Sequence, residues 1–376
     1  MRIVIIGEFS SFAKNLSEGF RQLGHECFVF SWGDGFKKIS QEDGNSYQIQ
    51  LKQSRSHGLL RKVYILYSSI IAAIKLRKTV RKMSNGNKWN VALVINPVFI
   101  KDKRSFWSAT FSSKMIRSLL SSPHNIYISA CGGDVPFFDY WKDHPWKNYH
   151  MVEVGMAHYY SNSQKRHFKY CVSFINHVIP VSYMYAEAWR KSIFSRDCTV
   201  LPTIPLPVAT QNFAVSNTIG EKVVIFHGII RPEEKGTPFI VKAMDMLQEK
   251  YPDQVECIAK GGMPLNEYLP LLNRTNILID QVYSDSVGLN GLYALAMGKV
   301  VLGGNVLENQ KEFGGVISPV INIEPNVEDI FSKLDSLVCH REMIAEISKK
   351  SRDYVVKTHD ARVIAGKYID LFSGKF

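Results

Sequence analysis

Several features that identify common classes of protein are missing from this sequence of 376 residues. Its six cysteines show no CxxC pair or other metal-ligand spacing, which indicates reduced, mostly buried thiols in a cytosolic protein. No apolar run reaches the roughly 18 residues of a transmembrane helix, and Glu8 comes too early for a secretory signal. We therefore expect a cytoplasmic protein, either soluble or peripheral on the inner face of the plasma membrane.

The signatures of two ligand classes are also missing. The full GxGxxG fingerprint of dinucleotide-binding proteins does not occur, although the first apolar run ends at Gly7 and Glu8 and leads into a helical pattern. Neither an aromatic-rich RNA-binding signature nor a DNA-reading motif is present. We therefore expect no nucleic-acid partner.

Acidic residues are missing from one long stretch of the first half. Between Asp43 and Asp102 there are eleven Lys and Arg residues and no Asp or Glu. Through Pro205 the chain has 28 Lys and Arg against 13 Asp and Glu, a net charge of +15, and the remainder has 18 against 21, a net charge of −3. The stretch includes a helical pattern over 57–83 with apolar residues on one side and basic residues at its carboxyl end. This favours an anionic membrane surface or a polyanionic ligand, and the alternative is a solvated face.

Short apolar runs followed by helical patterns recur along both halves. This alternation predicts an α/β protein with two doubly wound, Rossmann-like domains that face a cleft. Closely spaced prolines over 202–207 mark a linker, so we place the first domain at 1–205 and the second at 206–350, and expect the helix of 351–376 to pack back on the first domain. The predicted strands are 3–6, 27–30, 91–95, 126–130, 177–182, 222–227, 254–259, 277–280 and 300–302.

Polar residues follow several strands of the first domain. Gly7 and Glu8 follow the first strand, Asn96 the third and Asp134 the fourth. Ligands of open α/β sheets collect beyond the carboxyl ends of the strands, so these residues should line one rim. Asp134 could bond a ligand hydroxyl or act as a base, and it could equally cap the segment that follows it.

One stretch of the second domain has the layout of an anion site. An apolar run stops at Gly228, and Arg231, Lys235 and Thr237 follow before helical periodicity begins. Backbone N–H groups at the start of a helix favour phosphate, and two cations can add charge-assisted hydrogen bonds. The alternative is an ordinary loop with solvated charges. His227 ends the apolar run, where a structural histidine is favoured over a catalytic one.

Two segments together resemble the carboxyl-terminal domain of GT-B glycosyltransferases, most closely the retaining family 4 enzymes that extend bacterial surface polysaccharides. These segments are HGIIRPEEKGT over 227–237 and ILIDQVYSDSVGLNGLYALAMGKVV over 277–301. The resemblance is clear over about 222–304 and looser over the first domain. It implies a GT-B fold and a nucleotide-sugar donor, bound without a metal or other cofactor.

The resemblance also implies roles for individual residues. Arg231 and Lys235 match the cationic pair that holds the donor diphosphate, and both are carried over as catalytic together with Asp285. Asp134, inferred from its place at the rim of the first sheet, is the further catalytic candidate. The residues implied to bind the donor are Gly7, Glu8, Gly228, Thr237, Ser286, Gly288, Leu289, Asn290 and Tyr293.

The sequence departs from the family at its second motif, which is a Glu, seven residues and another Glu. Asp285 shortens the first carboxylate but could still bond sugar hydroxyls. Tyr293 stands in the place of the second and cannot accept the two ribose hydroxyls as a carboxylate would. Ribose recognition should therefore fall to another residue, or the donor pocket differs.

The resemblance implies transfer of a hexose or N-acetylhexosamine from a UDP- or GDP-sugar to a saccharide or lipid-linked saccharide, with retention. Surface-polysaccharide synthesis, as in capsule or lipopolysaccharide, is the implied process. The alternatives are a nucleotide-sugar 2-epimerase on the same fold and a non-catalytic relative that binds sugar nucleotides.

Overall fold

A computed structural model describes residues 1–31, 46–48, 88–96, 125–144 and 160–375, together with scattered helical residues within 60–79 and 152–156. Of the predicted 57–83 helix, Leu66 and the basic residues Lys75, Arg77, Arg81 and Lys82 lie outside the described residues. None of the described helices is long and apolar enough to cross a bilayer.

The first half of the described chain forms a seven-stranded parallel sheet in the order β3-β2-β1-β4-β5-β6-β7. Its inner strands are buried along most of their length, as expected for strands covered on both faces. The strands are β1 (Arg2–Ile6), β2 (Glu26–Ser31), β3 (Ser46–Gln48), β4 (Val91–Ile95), β5 (Asn125–Ala130), β6 (His177–Pro180) and β7 (Thr199–Val200).

The second half forms a five-stranded parallel sheet in the order β12-β11-β10-β8-β9. Its strands are β8 (Val223–Ile229), β9 (Val255–Gly261), β10 (Ile277–Ile279), β11 (Val300–Gly303) and β12 (Ile321–Asn322). The two parallel sheets confirm the predicted α/β class with two Rossmann-like domains. Strands β3, β7 and β12 were not predicted, because each is a short edge strand without an apolar run.

Helices flank both sheets. Those of the first half are α1 (Phe12–Gln22), α2 (Val135–Trp141), α3 (Asn162–Val172) and α4 (Tyr183–Lys191). Those of the second half are α5 (Pro232–Lys235), α6 (Thr237–Lys250), α7 (Leu265–Arg274), α8 (Leu289–Ala296), α9 (Leu307–Glu312), α10 (Val327–Cys339), α11 (Glu342–Thr358) and α12 (Ala361–Phe372). Short 3-10 turns cover Ile193–Arg196 and Thr210–Asn212.

The carboxyl-terminal helix α12 crosses to the first sheet and packs on α1. The Phe20 ring lies 6.2 Å from the rings of both Tyr368 and Phe372, measured between centroids. A side chain on Gly19 would collide with the backbone of Ala361, so glycine permits the close approach of the two helices. The segment after the linker is bound to the start of α12, because the Val208 N–H donates to the His359 carbonyl oxygen and the Val208 carbonyl oxygen accepts the Ala361 N–H.

Candidate functional site

The loop after β8 turns sharply at two positions. Arg231 adopts a left-handed conformation with φ of 56°, and Gly236 does so with φ of 70°. Between them lies the single turn α5, which the sequence predicted as loop; Pro232 at its first position and two acidic residues after it favour a helix start. A side chain on Gly236 would collide with Val282, so the turn into α6 requires glycine.

Lys235 is buried and paired with a carboxylate that the sequence analysis did not single out. Its Nζ lies 2.9 Å from Asp280 Oδ1 and 3.3 Å from the carbonyl oxygen of Gly228. Both side chains of the pair are almost fully buried. Lys235, which was predicted to bind phosphate, therefore reaches the end of β8, but its positive charge is compensated by Asp280.

Asp280 connects the β8 loop to the segment before α8. Its Oδ2 accepts the Gly288 N–H at 3.0 Å, and its Oδ1 also accepts from Asn290 Nδ2 at 3.2 Å. Burial alone would raise the pKa of the Asp280 carboxyl, but the Lys235 ammonium and these donors outweigh it and hold the pKa below its usual value. The Tyr268 hydroxyl donates to the Asn290 side chain and extends the network.

We call the group of Gly228, Lys235, Asp280, Gly288 and Asn290 the phosphate end of the site. The sequence carried a signal for Asp280, because a carboxylate directly follows the apolar run of β10 at the carboxyl end of a parallel strand.

Arg231 is placed differently from Lys235. Its side chain is 61% exposed, and its Nη1 lies 2.7 Å from Glu234 Oε2 one turn later. Exposed ion pairs of this kind are weak, so the guanidinium can leave Glu234 for a stronger anion. The structure thus does not hold the Arg231 side chain against the phosphate end.

His227 lies in the core beneath the phosphate end. Its Nδ1 is 2.8 Å from the Ile279 carbonyl oxygen and its Nε2 is 2.9 Å from Thr237 Oγ1. A carbonyl can only accept, so Nδ1 carries the proton and Nε2 accepts from the hydroxyl. Burial, assisted by the charge of Lys235, lowers the pKa of His227 to about 4. These contacts favour the structural interpretation, and they also engage Thr237.

Asp285 contacts the first domain. Its Oδ2 accepts the Met184 N–H at 2.8 Å, and its Oδ1 accepts from Ser286 Oγ at 2.9 Å. Burial raises the pKa of this carboxyl, and the N–H and O–H donors oppose that effect. Asp285, the residue predicted to bind the donor sugar, therefore accepts a hydrogen bond from the first turn of α4 across the cleft.

Asn309 and Glu312 of the second domain make further contacts with α4 and with Thr203 of the linker. The Asn309 side-chain oxygen accepts the Tyr183 N–H at 3.0 Å. Arg190 donates to both oxygens of Glu312, at 2.5 and 3.0 Å, and Thr203 Oγ1 donates to Glu312 Oε2 at 2.5 Å. We call these contacts, together with Asp285 to Met184, the α4 interface. It brings the two domains together beside the candidate site.

A cavity lies beside the α4 interface and takes its lining from both domains. Its polar lining residues include Ser182, Tyr185, Gln281, Asp285, Asn309 and Gln310. Ser286 and Gly288, which the resemblance implied, also line it. Amides, hydroxyls and one carboxylate are groups that bond sugar hydroxyls. Of these, the sequence analysis did not single out Ser182, Tyr185, Gln281, Asn309 and Gln310 as site residues.

Tyr293 packs between the domains. Its hydroxyl accepts a hydrogen bond from Asn15 Nδ2 of α1 at 3.1 Å, and its ring stacks on Phe213 with centroids 4.9 Å apart. We call Asn15, Phe213 and Tyr293 the nucleoside end, because the resemblance implied ribose binding there. The position is filled by a buried aromatic contact instead of a carboxylate.

The predicted residues on the rim of the first sheet mainly cap helices. Glu8 is buried and accepts the N–H groups of Ala13 and Lys14 at 3.3 and 3.0 Å. Asp134 caps α2 through Phe137 N–H at 2.9 Å and accepts from Trp189 Nε1 at 2.8 Å, which confirms the cap interpretation. Burial raises the pKa of Asp134 to about 7 despite these donors.

No protein-family model and no curated protein sequence matches this chain. Solved structures match over its whole length. Sucrose-phosphate synthase from Thermosynechococcus elongatus has a TM-score of 0.61 at 12% identity, covering 100% of this chain and 99% of that chain. HepE from Anabaena in complex with UDP and glucose has a TM-score of 0.61 at 10% identity, covering 100% of both chains.

A UDP-GlcNAc 2-epimerase is also among the similar structures. The enzyme from Neisseria meningitidis bound to UDP-GlcNAc has a TM-score of 0.52 at 11% identity and covers 100% of both chains. At such identities the similarity shows the fold alone. The chain has the GT-B arrangement of two Rossmann-like domains, as the resemblance implied.

Proposed function

We propose that this protein is a glycosyltransferase that transfers a hexose or N-acetylhexosamine from a nucleotide-sugar donor. The observation that carries the proposal is the phosphate end, where Asp280 joins Lys235 to Gly288 and Asn290 beyond the carboxyl ends of β8 and β10. This is where open α/β sheets bind their ligands. The Anabaena neighbour that binds UDP and glucose supports a UDP-sugar, with a GDP-sugar as the other candidate.

The chemistry asks for stabilisation of a leaving diphosphate. Of the three N–H donors of the Lys235 ammonium, the described contacts use two, and the third can serve a phosphate oxygen. Because the Lys235–Asp280 pair is neutral overall, Arg231 would supply the net positive charge after leaving Glu234. We propose that these groups act without a metal ion, so EDTA should leave activity unchanged.

The cavity beside the α4 interface suits the donor sugar. Its amide and hydroxyl lining comes from both domains, and Asp285 and Ser286 lie at its wall. In the retaining reaction that we propose, the acceptor hydroxyl attacks the anomeric carbon on the face from which the diphosphate departs. The C–O bond to the acceptor forms, the bond to the diphosphate breaks, and a leaving-group oxygen takes the acceptor proton. The anomeric configuration of the product, measured by NMR, tests retention.

A lipid-linked saccharide is the proposed acceptor. The motivation is the net charge of +15 through Pro205, from 28 Lys and Arg against 13 Asp and Glu. A carrier diphosphate in an anionic membrane would be drawn to a basic domain. Synthesis of a surface polysaccharide at the inner face of the plasma membrane follows from the same proposal.

Isothermal titration of UDP and GDP tests the donor site. We expect one of them to bind the wild type and the Arg231→Ala variant to bind about tenfold more weakly, as loss of one charge-assisted contact predicts. Arg274→Ala is the matched control, because Arg274 is also an exposed arginine paired with a glutamate of the second domain. If the wild type binds neither UDP nor GDP and none of the UDP- or GDP-sugars, the proposal is wrong.

A nucleotide-sugar 2-epimerase is the second candidate, favoured by the similar Neisseria structure. It predicts epimer formation from UDP-GlcNAc alone, whereas a transferase requires an acceptor. A non-catalytic relative is the third, and Tyr293 in place of a carboxylate favours it. Nucleotide binding without turnover of either kind would distinguish that relative from both enzymes.

A further inference from the structure

Helix α4 of the first domain is capped by the second domain. The first N–H groups of a helix have no partner within it, and a side chain just before the helix commonly supplies one. Ser182 holds that position, but its side chain makes no capping hydrogen bond. Asp285 of the second domain accepts the Met184 N–H at 2.8 Å, and Asn309 accepts the N–H before it at 3.0 Å. The start of α4 therefore depends on side chains from across the cleft.

These capping side chains also line the cavity proposed for the donor sugar. A carboxylate suits the cap, because the amino end of a helix carries partial positive charge. However, Asp285 is only 1% exposed and Asn309 only 6%, and the two oxygens of Asp285 accept from Met184 and Ser286. While α4 lies on Asp285, its carboxylate is closed to a ligand from solution.

The phosphate end is arranged independently of α4. The described hydrogen bonds of Lys235 and Asp280 go to other residues of the second domain. Gly288 and Asn290 are partly exposed, and the Arg231 side chain is mostly exposed. A nucleoside diphosphate can therefore reach the phosphate end with the α4 interface closed, whereas a sugar cannot reach Asp285.

The ion pair of the α4 interface holds α4 on Asp285 from outside the site. Glu312 accepts two hydrogen bonds from Arg190 and one from Thr203. These three residues lie outside the lining of the cavity and outside the phosphate end. Substitutions there can weaken the interface while the groups proposed to bind the donor stay intact.

We propose that the α4 interface gates the donor-sugar site. With the interface closed, Asp285 caps α4; when α4 moves away, the carboxylate is released to the hydroxyls of the sugar. Because α4 and the sugar use the same carboxylate, each weakens the binding of the other. The inference rests on the proposed function, since it states when the donor sugar gains its carboxylate ligand.

Hydrogen exchange of the Met184 amide, measured by mass spectrometry, tests the gate without any ligand. This N–H has its partner in the other domain, so it should exchange only when the interface opens. Glu312→Ala removes three hydrogen bonds and should speed exchange roughly five- to tenfold, as loss of a partly buried ion pair predicts. Thr203→Val removes one of them and should act in the same direction by a smaller factor.

The matched control is Glu256→Ala. Glu256 also accepts two hydrogen bonds from an arginine, Arg274, but both residues belong to the second domain. The control should leave the exchange rate of the Met184 amide within about twofold of the wild type, because the change is at the surface and away from α4.

Titration calorimetry tests the competition for Asp285. UDP is compared with UDP-glucose and UDP-GlcNAc, and GDP with GDP-mannose. Glu312→Ala should bind the nucleotide sugar about five- to tenfold more tightly than the wild type, because a larger fraction of the protein is open. Its affinity for the nucleotide alone should stay within about twofold, since the phosphate end does not involve α4. In the wild type, the bound nucleotide sugar should speed exchange of the Met184 amide, and the nucleotide alone should not.

Three results would overturn the inference. They are a wild type whose Met184 amide is unprotected, a Glu312→Ala variant with unchanged exchange, and a Glu312→Ala variant that binds the nucleotide sugar more weakly, which would mean that the closed interface holds the sugar. Binding of no nucleotide or nucleotide sugar refutes the proposed function itself. Nucleotide binding in which the affinity for the nucleotide sugar is the same in wild type and Glu312→Ala refutes only the gate.

Discussion

The phosphate end and the nucleoside end were both inferred from one family resemblance, yet the structure fills them differently. At the phosphate end the expected cation is present, and a buried carboxylate pairs with it: Lys235 with Asp280. At the nucleoside end the expected carboxylate is replaced by Tyr293, which bonds Asn15 and stacks on Phe213. The first retains groups that bind anions, and the second has become a contact between domains.

The difference shows that two positions implied by one resemblance can have different surroundings: a buried ion pair at one end and packing between the domains at the other. Asp280 gives the phosphate end its order, because a buried ammonium needs a partner and the carboxylate also fixes the Gly288 amide. Nothing at Tyr293 requires a ligand, since its hydroxyl and ring are both engaged within the protein. Mutations at the two ends should therefore affect stability and nucleotide binding in different proportions.

The largest effect should come from breaking the buried pair. Asp280→Ala leaves the Lys235 ammonium buried without its partner, and we expect a loss of about 3–5 kcal/mol in the free energy of unfolding. Urea denaturation measures it. Replacing both residues by apolar ones, Asp280→Leu with Lys235→Met, should recover most of the stability but not nucleotide binding. Equal damage from the single and double variants would contradict this account of the pair.

The next largest effect is a pH dependence of the free energy of unfolding, caused by His227 beneath the phosphate end. The pKa of His227 is lowered to about 4 in the folded protein, against 6.5 ordinarily. The unfolded state binds the proton more tightly, so this contribution is complete above about pH 6.5 and is lost as the pH falls towards 4. Between pH 7.5 and 4.5, the free energy of unfolding of a His227→Asn variant should fall by about 2–3 kcal/mol less than that of the wild type.

Asp134 should act in the opposite direction. Its folded pKa is raised to about 7 from 3.8, so the folded state binds the proton more tightly and gains stability as the pH falls through 7. Asp134→Asn keeps the cap of α2 but removes this gain. Its stability should fall more steeply than that of the wild type over the same pH range. A shallower fall would contradict the assignment.

A smaller effect should distinguish the two ends directly. Tyr293→Phe removes the hydroxyl that accepts from Asn15 and should cost about 1 kcal/mol of stability, with UDP affinity unchanged. Tyr268→Phe removes a hydroxyl that orients Asn290 at the phosphate end and should weaken UDP binding. Urea denaturation and titration calorimetry measure both variants. A tenfold loss of UDP affinity in Tyr293→Phe would restore the nucleoside end as a ligand site.

The smallest effect is expected at the α4 interface. Arg190 is partly exposed, so loss of its two hydrogen bonds to Glu312 in Arg190→Ala should cost about 1 kcal/mol or less, and less still in high salt. Thermal denaturation at two salt concentrations measures this. A loss of several kcal/mol would mean that the ion pair organises the closure of the two domains.

The sequence predicted the inner strands closely and missed three of the four edge strands, the exception being β9. Strand β4 was predicted with its observed bounds, Val91–Ile95. Inner parallel strands are apolar on both faces and so leave a continuous run in the sequence, whereas the short strands β3, β7 and β12 leave none. Residues that follow inner strands, such as Glu8 and Asp134, were located correctly, but their capping contacts depend on the helix after them.

The sequence by itself determined the α/β alternation, the anion-site layout at 227–237 and the absence of acidic residues between Asp43 and Asp102, because each depends on neighbours in the chain. Only the tertiary structure decided which groups meet. Lys235 pairs with a residue 45 positions later, and Tyr293 bonds one 278 positions earlier. Such contacts arise from the packing of whole sheets and helices, and burial then decides whether a charged or polar group needs a partner within the protein.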